Sequence, residues 1–222
     1  QSCHSNTSVQ EFGNLSDGTP TKLYTIVNSH GASVSFTDYG LRITNLIVPD
    51  RNGNLDDVIV GFGDIKSFEL AGDRFIGCVL GRYANRISGS SFNLCDEEYV
   101  LTPNEYRENI PNHLHGGEKG FDCFVWETES INDSSVCFHR LSPHGEQGYP
   151  GNLDCHITYT WTDDCVLRLE YEATTDKTTI VNLSNHTYFN PRGADGEYIM
   201  SCLLWVDADS CILNNNRYIP EK

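Results

Sequence analysis

The chain has 222 residues with 15 basic and 31 acidic side chains, a formal net charge of −16. That length is ample for one large domain with a buried core, and 38% hydrophobic with 11% aromatic residues excludes a disordered tail. The acidity argues against nucleic acid and anionic membrane surfaces as partners, and no apolar run approaches the roughly 20 residues a spanning helix needs.

Residues 1–20 are polar and rich in Gly, Ser and Asn, and read as a loosely held arm; residues 21–222 read as one domain. From Lys22 onward short alternating runs at 23–27, 32–36, 43–48 and 58–62 are rich in β-branched and aromatic residues and predict strands. Between the last two, residues 49–54 are turn chemistry, with Asn52-Gly53 suited to positive φ. The best helical candidate is short, over residues 64–70. Runs at 135–139, 155–161, 166–172 and 202–206 alternate again, with Thr162-Asp163-Asp164 as a tight hairpin loop. Many strands separated by turn signals, with almost no 3.6-residue period, predict an all-β sandwich or barrel.

Nine cysteines (Cys3, Cys78, Cys95, Cys123, Cys137, Cys155, Cys165, Cys202, Cys211) include no Cys-x-x-Cys pair and none joins histidines at zinc-finger spacing, so no structural metal is expected. Glycosylation acceptors stand at Asn6, Asn14 and Asn132 in polar stretches. The first residue is Gln1 and the only methionine is Met200. These features together suggest a secreted, disulfide-bonded glycoprotein whose leader has been removed; a cytosolic chain with scattered buried thiols is the alternative. An odd cysteine count leaves at least one sulfur free or bonded to another chain.

Four stretches place polar groups where a strand protein does not need them. Residues 81–87 (Gly-Arg-Tyr-Ala-Asn-Arg-Ile) set two arginines four apart around Asn85. An arginine fork suits carboxylates or sugar hydroxyls, and equally a solvated salt bridge. Residues 112–117 (Asn-His-Leu-His-Gly-Gly) carry a His-x-His that would share one face of a strand and could bind a metal, although no carboxylate or third His follows at close spacing, with two glycines that would let backbone approach a ligand or simply turn. Residues 142–151 read as a rigid structural loop. Residues 182–190 (Asn-Leu-Ser-Asn-His-Thr-Tyr-Phe-Asn) flank His186 with groups able to orient one ring nitrogen, leaving the other for acid–base work. Two further acceptor sequences, at Asn182 and Asn185, fall inside this stretch; a glycan on Asn185 would block the site, so that acceptor is expected to be empty.

Together with Phe36-Thr37-Asp38-Tyr39-Gly40, residues 46–53, residues 56–62, Gly120-Phe121-Asp122 and the Glu146–Gly151 loop, these stretches resemble the aldose 1-epimerase (galactose mutarotase) family, in family order from about Lys22 to Pro220. The resemblance implies a large antiparallel β-sandwich, the supersandwich of that family. It implies interconversion of the α and β anomers of galactose or glucose, with no cofactor and no metal. In it His186 would protonate the ring oxygen, His115 would hold the sugar beside it, and Arg86 and Asn85 would donate hydrogen bonds to substrate oxygens.

The family's general base is a Glu, and a substrate-binding Asp accompanies it, both in the last third of its domain. Residues 214–220 resemble only a mid-domain loop, so both carboxylates are expected to be absent, the sandwich to be incomplete at its C-terminal side, and a companion chain to supply the rest. Asp207, Asp209 and Glu221 match no family motif and read as solvated loop. The alternative function is a secreted non-catalytic sugar-binding or structural glycoprotein built on the same fold.

Overall fold

The structure is a computed structural model, and it describes residues 6–196 and 198–221. Alternating residues become strands where a turn returns the chain beside its own edge. The strands β1 (Thr7–Asn14), β2 (Pro20–Val27), β3 (Ser33–Thr37), β4 (Ile43–Pro49) and β5 (Leu55–Asp57) do so in sequence order, as one antiparallel sheet. The β4–β5 turn is closed by Asp50, whose Oδ1 accepts the backbone N–H groups of Asn52 at 2.7 Å and Asn54 at 2.9 Å.

Strand β1 corrects the expectation of a loose arm. It pairs with β2 from Thr7 opposite Ile26 to Asn14 opposite Pro20, and the Thr7 hydroxyl donates to the Asn132 carbonyl at 2.7 Å. The strand lacks apolar alternation because it is an exposed edge held by backbone bonds.

A short connecting region follows: β6 (Ile59–Val60), helix α1 (Ile65–Leu70), β7 (Val79–Leu80), β8 (Arg86–Ser88), β9 (Ser91–Leu94), β10 (Glu97–Val100), β11 (Glu105–Arg107) and β12 (Ile110–Leu114). Asp64 caps α1 by accepting the Ser67 N–H at 2.9 Å. The second sheet is β13 (Glu127–Ile131), β14 (Ser135–Ser142), β15 (Leu153–Trp161) and β16 (Leu167–Thr175), again in sequence order and antiparallel. Then β17 (Ser184–Asn185) returns to β7, β18 (Tyr188–Phe189) returns to β6, and β19 (Leu213–Asn214) pairs with β20 (Pro220–Glu221).

The two large sheets share one core. Tyr24, Ile26, Val34 and Phe36 of the first meet Val136, Phe138, Ile157, Tyr159 and Trp161 of the second. The Phe36 and Tyr159 rings lie 4.6 Å apart, and Phe138 meets Tyr24 edge-on at 5.0 Å. The polar tips of the buried aromatics are satisfied: Tyr159 donates to the Leu41 carbonyl at 2.7 Å and Trp161 to the Ala32 carbonyl at 3.1 Å. This is the all-β antiparallel sandwich that the alternation predicts.

Two further expectations are corrected. The run 202–206 is not a strand; it pairs with nothing among the described residues, and Leu203, Leu204 and Trp205 are exposed. Nor do disulfides form among the described residues, where eight cysteines are free thiols; Cys3 lies outside them. Alternation separates the thiols of the second sheet: Cys155 is buried on the core face, whereas Cys137 on the neighbouring strand points to the outer face.

Candidate functional site

Backbone pairing brings three of the four polar stretches together. Ser184 and Asn185 lie opposite Leu80 and Val79, and the His186 backbone is bonded on both sides, to the Cys78 carbonyl at 2.8 Å and to the Gly77 N–H at 3.0 Å. Strand β12 lies beside β8, with Leu114 opposite Arg86. There the chain leaves the strand, because His115 takes a left-handed φ of 55°.

That departure is held by a reciprocal pair of bonds. The His115 N–H donates to the Asn85 carbonyl at 3.1 Å, and the Asn85 N–H donates to His115 Nδ1 at 2.9 Å. Asn85 is itself left-handed at φ 68°, a conformation this residue tolerates. The imidazoles of His115 and His186 then stand 5.2 Å apart and nearly perpendicular. Phe75 touches both, at 4.8 and 6.2 Å between ring centres, and Tyr188 lies 5.1 Å from His186.

The protonation of His115 follows from these contacts. With Nδ1 accepting a backbone N–H, the neutral ring carries its proton on Nε2 as a donor. Burial first, and then the neighbouring His186 and Arg86, push its pKa down to about 4, so it is neutral at physiological pH. The His186 ring nitrogens make no hydrogen bond to any described residue; its ring is held by aromatic contacts alone.

The two arginines of residues 81–87 divide. Arg82 is buried, donating to Ser142 Oγ at 2.7 Å and to the carbonyls of Ser142, Pro143 and Pro150 at 2.7 to 3.0 Å, so it ties the 142–151 loop to the sheet. Arg86 is half-buried, and Glu105 occupies its Nε at 2.7 Å and Nη2 at 2.9 Å. Its remaining Nη1 faces Asn85 Oδ1 at 3.4 Å. The ion pair holds the Glu105 carboxyl at about 2.

The paired histidines also divide. His113 is fully buried, with Nδ1 donating to the Thr102 carbonyl at 2.7 Å and Nε2 accepting from Tyr149 at 2.7 Å, so both nitrogens are used. The two rings therefore cannot share a metal, which is the geometry a plain extended segment would have given. The double glycine serves the chain rather than a ligand: a Cβ on Gly116 would sit 1.8 Å from the Gly81 carbonyl oxygen, and one on Gly117 would strike the His113 ring.

Asp73, Arg74, Phe75 and Glu105 belong to this site and were not singled out by sequence reasoning. Asp73 accepts the Tyr188 hydroxyl at 2.8 Å. Arg74 clamps the histidine loop through the carbonyls of Gly117 at 2.9 Å and Glu118 at 2.6 Å, and pairs with the buried Asp122 at 3.0 Å. The available signal was a charged pair followed by an aromatic in a stretch without alternation; Glu105 carried none. A cavity of about 340 Å³ is lined by Asp73, Arg74, Phe75, Glu105 and Leu114. A larger one of about 580 Å³ shares Asp73 and is lined by Ile76, Tyr188 and Phe189. Away from the cleft, Asn6, Asn14 and Asn132 are exposed, whereas Asn185 is half-buried and its amide bonds the Gly77 carbonyl and the Thr187 N–H.

The sequence profile of the aldose 1-epimerase family matches residues 22–222. A galactose mutarotase of Sus scrofa is 39% identical over 209 residues, covering 94% of this chain and 59% of its own length. An aldose 1-epimerase of Haemophilus influenzae is 37% identical over 208 residues, covering 93% and 59%. Among solved structures, a galactose 1-epimerase from Lactobacillus acidophilus superposes with a TM-score of 0.72 at 26% identity, over 86% of this chain and 54% of that one. An aldose epimerase homologue from C. elegans gives 0.68 at 33% identity, over 75% and 50%. The chain thus spans 59% of the length of these curated relatives.

Proposed function

The chain belongs to the aldose 1-epimerase family, and from that membership we propose that it binds a hexose such as galactose or glucose and carries the acid side of anomer interconversion. In that reaction a base takes the proton of the anomeric hydroxyl while an acid protonates the ring oxygen, and the C1–ring oxygen bond opens to the aldehyde. Rotation presents the other carbonyl face, and the reverse transfers close the ring.

His186 is the proton donor to the ring oxygen, and His115, neutral with its proton on Nε2, donates a hydrogen bond to a neighbouring sugar oxygen. The observation that supports this reading is the perpendicular pair of imidazoles 5.2 Å apart over Phe75. Asn85 bonds His115 and Arg86 lies beside it, with Glu105 keeping the arginine in place. We propose that the base comes from outside the described residues, on a companion polypeptide that covers the exposed Leu203, Leu204 and Trp205. Secretion is part of the same proposal, supported by exposed acceptors at Asn6, Asn14 and Asn132.

Polarimetry on freshly dissolved α-galactose tests the reading. The natural protein with its companion should exceed the buffer rate, and His186→Ala should lower that excess by about 10²–10⁴-fold. An unchanged rate in His186→Ala removes His186 from the chemistry. Saturable galactose binding without turnover, abolished by His115→Ala, would identify a sugar-binding module instead.

A further inference from the structure

We propose that the outer face of the second sheet holds a zinc-type divalent cation through His139 Nε2, His156 Nε2 and Asp154 Oδ1. The inference is independent of the epimerase reading and uses none of the cleft residues.

Strand register builds the group. His139 on β14 lies directly opposite His156 on β15, and both point away from the core, as does Asp154 two residues before His156. The imidazoles lie 4.9 Å apart, and their Nε2 atoms face the same carboxylate oxygen, at 2.6 Å for His139 and 3.9 Å for His156. A tetrahedral centre with zinc–ligand distances of about 2.0–2.1 Å needs its ligand atoms roughly 3.3 Å apart. The two observed distances bracket that value, and one ligand atom from each of the three residues lies within 4.8 Å of the others. Small side-chain rotations would centre an ion, and the half-exposed face leaves a fourth position for water.

The outer carboxylates supply the second observation. Metal-binding histidines usually donate their other N–H to a carboxylate, which fixes the tautomer and makes the ligating nitrogen more basic. Glu129 Oε2 lies 2.7 Å from His156 Nδ1, and Glu127 Oε2 lies 3.7 Å from His139 Nδ1. Glu127 stands directly opposite His139, and Glu129 is the extra residue of a bulge in β13 between the pairs Thr128–Phe138 and Ser130–Cys137. Glu172 faces His156 from the other side. Two imidazoles among four carboxylates, on a chain of net charge −16, form a site that attracts a cation. Cys137 sits 3.2 Å from Glu129 and offers a competing ligand set of Glu129, Cys137 and His156.

Isothermal titration of the chelator-stripped full chain with zinc sulfate reads the site. One saturable equivalent is expected, lost in His139→Ala and in Asp154→Asn, and weakened about 10–100-fold in Glu129→Gln. All three positions are outward-facing, and circular dichroism checks that the variants fold. Diethylpyrocarbonate labelling of the wild type needs no variant: zinc should protect His139 and His156 and leave His30 as reactive as before. Absence of a saturable equivalent, or an equivalent that survives both ligand substitutions, overturns the proposal. With cobalt in place of zinc, a thiolate charge-transfer band that disappears in Cys137→Ser would assign the competing set and also overturn it.

Discussion

Residues 153–161 and residues 202–206 are both rich in apolar groups at strand length and come to opposite ends. The first alternates apolar and polar groups and is a strand with every second residue buried; the second is five apolar residues in a row, exposed and without a strand partner among the described residues. Strand β15 has β14 on one side, β16 on the other and the first sheet across its inner face. A period of two therefore specifies which face would be buried, and an available edge and an opposing sheet decide whether it is. The two histidines of residues 112–117 repeat the lesson with polar groups: His113 finds Thr102 and Tyr149 inside, while His115 turns out to stand beside His186.

Substitutions break or sharpen this contrast in order of size. Phe138→Ala, which removes a ring packed against Tyr24, Phe36 and Tyr159, should cost about 3–5 kcal/mol in urea unfolding. A cost under about 1 kcal/mol would mean the sheets are not packed as described. Tyr149→Phe leaves the buried Nε2 of His113 without its donor and should cost about 1–3 kcal/mol. A neutral result would show that another group or a water takes its place.

A smaller effect reads His115 through pH. His115 is depressed to about 4 when folded and titrates near 6.5 when unfolded, so between those values the unfolded chain binds more protons. Its contribution is complete above about 6.5 and is lost as the pH falls towards 4. His115→Gln should therefore lose less Tm between pH 7 and pH 4.5 than the wild type does; an equal loss would deny the depressed pKa. Asp38, which burial pushes up to about 6, acts in the opposite sense in both proteins and cancels in the comparison. The smallest effect belongs to the exposed run: Leu204→Ser should change stability by no more than about 0.5 kcal/mol unless a companion chain is present. A large cost in the isolated chain would place that side chain in a core.

Much of the fold was legible because strand and turn signals act over a few residues. The runs at 23–27, 43–48 and 155–161, the Asp50 turn and the Asp64-capped helix are all where the pattern puts them. Strand β1 was not legible, since an edge strand needs backbone bonds and no apolar face. In the site, His115, His186, Asn85 and Arg86 could be picked out and the structure gathers them. Glu105 could not, because its tie to the site runs through Arg86, which it meets nineteen residues away. The distinction between Arg82 and Arg86 was equally hidden: the residue type is the same and only burial separates their roles.

The sequence by itself determined that this is an all-β chain of the aldose 1-epimerase family, because alternation, turn residues and family motifs are written in neighbouring positions. Only the tertiary structure decided which histidine is sealed in the core and which stands beside His186, which arginine is a strut, and which thiols stay apart. Those outcomes depend on desolvation and on distances between residues remote in the chain, and these exist only once the two sheets have closed.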